Sequence, residues 1–173
     1  PAVTSGTILL ITEVHDWAQV YANGKLLGRL DRRRGENSLK LPALAAGTQL
    51  DILIEAMGRV NFDKAIHDRK GITEKVELLN EGSTQELKNW QVYSFPVDYP
   101  FVKDKKYAPG KKSDGPAYYR ATFNLEETGD VFLDMQTWGK GMVWVNGKAM
   151  GRFWKIGPQQ TLFMPGCWLK KGV

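Results

Sequence analysis

Residues 18–30, AQVYANGKLLGRL, align without a gap on residues 141–153, GMVWVNGKAMGRF, at a constant offset of 123. Six of the thirteen positions are identical: Val20, Asn23, Gly24, Lys25, Gly28 and Arg29 recur as Val143, Asn146, Gly147, Lys148, Gly151 and Arg152. The same offset pairs Leu39 with Leu162 and Pro42 with Pro165. A chain that carries two copies of one unit folds each copy around its own small core, so 173 residues divide into two modest domains. The repeated unit reads as a hairpin. Asn-Gly supplies the two positive-φ residues of a type I′ turn, whose twist suits the flanking strands. A glycine then follows in each return strand. Gly28 and Gly151 either relieve a bulge or crowding inside the sheet, or let a ligand approach the backbone.

The rest of the chain reads as further short strands. Residues 7–14, TILLITEV, are mostly apolar and β-rich, which suits a buried strand. Lys25–Leu30, Leu50–Glu55, Lys75–Leu79, Trp90–Phe95, Ala117–Leu125, Asp130–Met135 and Met142–Val145 read as strands too. Residues 96–117, with Pro96, Pro100, Pro109, Gly110, Gly115 and Pro116, read as a long irregular connection. No stretch holds a 3.6-residue period over three turns. The expected fold class is therefore all-β, two jelly-roll or sandwich units, with residues 1–80 in the first and 81–173 in the second.

Composition removes several chemistries. One cysteine, Cys167, excludes an internal disulfide framework and any CxxC zinc site, and two histidines, His15 and His67, are too few for a histidine cage. No GxSxG elbow presents a serine, and no GxxxxGK[ST] or GxGxxG loop cradles a phosphate. No cofactor and no metal are expected. The longest apolar runs fall far short of the ~20 residues that span a bilayer. The formal charge of +5 is locally concentrated: Lys25, Arg29, Arg32, Arg33, Arg34 and Lys40 face only Asp31 and Glu36, and Lys103, Lys105, Lys106, Lys111 and Lys112 face only Asp104. These clusters read as solvated basic loops or a phosphate-binding surface. No nucleic-acid-reading module accompanies them, so no nucleic-acid partner is expected.

The segments Trp138–Gly141, Val143–Gly147, Gly151–Trp154 and Ile156–Leu162, followed by Pro165-Gly166, resemble the C-terminal β-domains of the β-galactosidases of glycoside hydrolase family thirty-five. The first copy is similar through Asp16–Gly24, LDILIEAMGRVN at Leu50–Asn61, and Asp68–Ile72. This resemblance implies two galactose-binding-like jelly rolls packed against a catalytic TIM barrel of the same polypeptide. It implies a parent enzyme that hydrolyses terminal β-galactosides in carbohydrate metabolism and lies outside the cytoplasm, periplasmic or secreted. It also implies strands before Pro1 and after Val173, so the chain is expected to be truncated at both ends. An open edge near residues 7–14 or 161–165 would then invite self-association.

The barrel itself is not in the sequence. The resemblance implies two catalytic glutamates on that barrel, and retaining chemistry sets such carboxyls about 5–5.5 Å apart. A (β/α)₈ barrel takes roughly 250 residues of alternating strand and helix, more than this chain has. Glu13, Glu55, Glu74, Glu77, Glu86 and Asp134 therefore read as surface or turn carboxylates, and the chain alone is expected to be inactive. Galactose-containing glycans remain a candidate partner, because sugar recognition wants an aromatic plate beside hydroxyl-binding groups. Trp17, Arg59, Asn61, Trp138, Trp154 and Gln159 are of those types and lie near turns. Each reads either as a carbohydrate contact or as a domain-docking residue. Function thus lies among a non-catalytic accessory region, an autonomous carbohydrate-binding module and a purely structural interaction domain.

Overall fold

The computed structural model describes residues 2–110, 113 and 115–172, and the chain divides into two compact units, Pro1–Val92 and Tyr93–Val173. Lys111 and Lys112 of the second basic cluster lie outside the described residues.

The first unit contains β1 (Ile8–Ile11), β2 (Val14–His15), β3 (Trp17–Ala22), β4 (Lys25–Asp31), β5 (Ser38–Lys40), β6 (Leu50–Glu55), β7 (Gly71–Ile72), β8 (Val76–Asn80) and β9 (Ser83–Glu86). They form a four-stranded sheet in the order β5-β1-β8-β9, a three-stranded sheet β4-β3-β6 and the short pair β2-β7. All named pairings are antiparallel. Alternation along β3 sends Ala18, Val20 and Ala22 inward. Ala18 and Val20 meet Leu9 and Ile11 of β1, Leu30 of β4 and Val76 and Leu78 of β8 in one core, so the two larger sheets pack face to face.

One expectation changes here. β1 lies inside its sheet between β5 and β8, so Ile8–Ile11 is not an open edge. The hairpin of β8 and β9 turns at residues 81–82, and the first unit runs on to Val92.

The second unit contains α1 (Tyr99–Lys103), β10 (Val131–Asp134), β11 (Lys140–Val145), β12 (Lys148–Trp154) and β13 (Thr161–Met164). β10 pairs with β13 and β11 with β12. Met135, Phe153 and Leu162 form one buried cluster and Val145, Met164 and Leu169 another, with Val143 and Met150 packed against both. The expected strands at Trp90–Phe95 and Ala117–Leu125 are not strands. Those segments are rich in β-formers but are not in a strand ladder, and β-propensity alone does not make a strand.

The two repeated hairpins share one register. In the first, Trp17 faces Asp31, Ala18 faces Leu30, Gln19 faces Arg29, Val20 faces Gly28, Tyr21 faces Leu26 and Ala22 faces Lys25. In the second, every one of these pairs reappears 123 residues later, from Lys140 opposite Trp154 to Val145 opposite Lys148. The bulge falls at the same step, between Val20 and Tyr21 and between Val143 and Trp144. Both turns hold two positive-φ residues, Asn23 at 47° with Gly24 at 77°, and Asn146 at 49° with Gly147 at 79°.

The preceding strands do not keep this offset. β1 buries Leu9 and Ile11, whereas Phe132 and Asp134, 123 residues on, face outward, and Leu133 and Met135 turn to the core. One residue fewer joins the inward-facing pair to the hairpin in the second copy. A one-residue slip exchanges the two faces of a strand.

Candidate functional site

Asp16 sits between β2 and β3, with its side chain only 4% exposed. The His15–Asp16 peptide bond is cis. A short turn at Arg32–Arg34 follows β4, started by the Asp31 carboxylate accepting the Arg33 amide at 3.0 Å and ended by Gly35. This turn places Arg32 so that its Nη1 donates to Asp16 Oδ1 at 2.8 Å and to Asp68 Oδ2 at 2.8 Å. From the loop before β7, Lys70 Nζ donates to Asp16 Oδ2 and to Asp68 Oδ2, both at 2.8 Å. The four charges close a ring in which each carboxylate meets both cations. The Met57 amide, just after β6, adds a third donor to Asp16 at 2.8 Å.

Burial alone would push the Asp16 carboxyl up, but hydrogen bonds from Lys70, Arg32 and the Met57 amide outweigh it and hold the group below the usual carboxylate range. Hydrogen bonds from Arg32 and then Lys70 hold Asp68 well below that range. Burial favours neutral Lys70, yet Asp16 and Asp68 together raise its pKa, and the same two carboxylates raise that of Arg32. The network continues into His15, whose Nδ1 lies 2.5 Å from the Arg69 carbonyl oxygen and 3.3 Å from Asp68 Oδ1. Its Nε2 lies 2.5 Å from Glu13 Oε2.

An open cavity of about 490 Å³ is lined by all four residues of this ring, Asp16, Arg32, Asp68 and Lys70, and by Met57, Arg59 and Val60. Its carboxylates are ionised and saturated with donors, so they neither deliver a proton nor attack. Chemically, the ring fastens the entry to β3, the end of β4 and both ends of the loop between β6 and β7.

The six residues singled out from the sequence divide between the two units. Arg59 is exposed and lines the cavity, and Asn61 is exposed on the same loop. Trp17 stands half-buried in β3, between Asp31 of β4 and Glu55 of β6. In the second unit Trp138 is 43% exposed, and its ring and that of Tyr119 form a T-shaped pair with centroids 5.4 Å apart and planes at 74°. Trp154 is half-buried opposite Lys140, whose Nζ stands 5.1 Å from the ring centre. Gln159 is exposed, and its backbone carbonyl accepts the Trp154 amide at 2.8 Å. Sequence reasoning missed the ionic ring and Tyr119. One signal was available: Asp16 and Asp31 stand at the ends of apolar strands, where an unpaired carboxylate would be costly.

Residues 2–96 match the family described as "Beta-galactosidase, first all-beta domain", and residues 116–173 match "Beta-galactosidase, galactose-binding domain". The chain belongs to the beta-galactosidase family. It is 35% identical to human "Beta-galactosidase-1-like protein 2" over 99% of its own length and 27% of that protein. It is also 35% identical to the "Beta-galactosidase" of Xanthomonas manihotis over 90% of its length and 25% of that protein. With mouse "Beta-galactosidase-1-like protein" it shares 39% identity over 88% of its length and 24% of that protein. The chain spans about a quarter of the length of the curated relatives it matches. Among the described residues no helix is long and apolar enough to cross a membrane.

Proposed function

We propose that the chain is a non-catalytic accessory region of a retaining β-galactosidase, C-terminal to a catalytic TIM barrel that hydrolyses terminal β-galactosides. The observation that carries this reading is coverage. The chain matches relatives named as beta-galactosidases over about a quarter of their length, in parts described as all-beta and galactose-binding. The chemistry of the ionic ring supports it. Retaining hydrolysis needs one carboxyl with a raised pKa to protonate the leaving group and one ionised carboxylate to attack. Asp16 and Asp68 are both shifted downward, and both are occupied by Arg32 and Lys70. Excising this region from the complete enzyme tests the role: thermal stability of the remainder should fall while the residual active fraction keeps its pH profile. An altered profile would give the region a part in the chemistry.

The exposed edge-to-face pair of Tyr119 and Trp138 favours a second reading, sugar contact by the second unit. Titration with galactose, followed by tryptophan emission, tests it. A saturable change that Trp138→Ala abolishes supports sugar contact; no change up to high millimolar galactose rejects it.

A further inference from the structure

The loop between β6 and β7 is fixed at its base and apolar at its crown. The Met57 amide ties its start to Asp16, and Asp68, held by Arg32 and Lys70, ties its end. Between these anchors Phe62 is 79% exposed, Ile66 61% and Val60 42%. A soluble domain rarely holds three large apolar side chains outward on one pinned loop unless they have a partner. The loop is also basic: Arg59, Lys64 and Arg69 outnumber Asp63, while Asp68 and Lys70 compensate each other in the ring. A loop fixed at its base loses less conformational entropy on docking than a free one, which suits an anchor for another domain.

We propose that this loop is the docking element of the chain. Its partner is the catalytic part of the same polypeptide, through a surface that offers an apolar pocket to Phe62 and a carboxylate to Arg59. The proposal rests on the accessory-region reading above. Two observations choose this occupant. About three quarters of the length of the matched relatives lies outside the segment they share with this chain, and the excess positive charge around the crown asks for an acidic rim opposite.

The test uses the complete enzyme. Amide exchange is followed in peptides spanning residues 60–66, and proteolytic release of the region is timed for wild type, Phe62→Leu and Phe62→Asp. Docking predicts crown amides that exchange at least about tenfold more slowly than a solvated loop. It predicts release about tenfold faster for Phe62→Asp, with Phe62→Leu close to wild type because an apolar side chain still fills the pocket. Fast exchange at the crown, with release unchanged in Phe62→Asp, overturns the proposal. Excision of the whole region tells the two failures apart. If excision collapses the thermal half-life while Phe62→Asp is silent, the region docks by another face and only the loop assignment falls. If excision is silent as well, the accessory reading falls with it.

Discussion

Phe153 lies across the β11–β12 ladder from Gly141 so closely that a Cβ on the glycine would stand 3.0 Å from the ring. The equivalent pair in the first hairpin is Ala18 opposite Leu30. The two copies therefore place similar volume at one cross-strand position by opposite choices, a large residue with none opposite it, or a medium one with a methyl. The neighbouring position behaves likewise. Trp17 faces Asp31 in one copy, and Lys140 faces Trp154 in the other, so the indole has changed strands.

Gly141→Ala should therefore destabilise the second unit by about 1–3 kcal/mol, the usual range for overpacking. Adding Phe153→Leu, which rebuilds the Ala–Leu pair of the first hairpin, should recover part of that loss. A double-mutant cycle by denaturant unfolding measures the coupling. Additive effects would show that the contact does not limit this position.

Gly28 and Gly151 occupy one position of the repeat for different reasons. A Cβ at Gly28 would meet the Leu39 side chain at 2.6 Å, a crowding that leucine relieves only by moving. Gly151 has open space around it but a φ of 114°, which side-chain-bearing residues rarely adopt. Gly28→Ala should be partly rescued by Leu39→Val or Leu39→Ala, and Gly151→Ala by no change in its surroundings. Thermal unfolding of the two series distinguishes the causes. Both glycines follow the bulge directly, as expected for relief of a bulge or crowding within the sheet.

Removing Asp16 leaves Lys70, whose side chain is only 11% exposed, with one carboxylate instead of two. Asp16→Ala should cost about 3 kcal/mol, the lower end for breaking a buried ion pair. The pH dependence follows from the directions of the shifts. Asp16 and Asp68 titrate lower in the folded chain than their unfolded value of about 3.9, so their contribution is complete above that value and is lost as pH falls through their folded pKa. Lys70 titrates higher than its unfolded value of about 10.4, so its contribution is complete below that value and is lost as pH rises through its folded pKa. Wild-type stability should thus fall in acid below about pH 4, and Asp16→Asn, already less stable at neutral pH, should show a shallower acid limb. An equal acid slope in the two proteins would contradict the ring as the acid-sensitive element.

Local features were legible from residues alone. Asn23-Gly24 and Asn146-Gly147 carry their turn type in the dipeptide, and six shared residues fix a common register because each lies within one hairpin. What failed depends on distance along the chain. Asp16 is 16 residues from Arg32 and 54 from Lys70, and Arg32 is 36 from Asp68, so no periodicity marks the ring. The exchange of faces between β1 and β10 turns on one residue in a connection, which an ungapped alignment cannot register. Trp90–Phe95 and Ala117–Leu125 have the composition of strands, but strands exist only in pairs. Of the candidate site residues, Arg59 reaches the cavity because the loop bearing it is fastened by that unseen ring.

We propose that this chain supports hydrolysis by the complete enzyme without performing it. The direct measurement is release of chromophore from a chromogenic β-galactoside by the purified chain at high concentration, compared with buffer. A rate equal to background is expected from about pH 5 to 9, where the carboxylates at the cavity are held ionised by Arg32 and Lys70. Turnover that survives repurification, and that disappears when a single Glu or Asp of the chain is replaced by its amide, would contradict it.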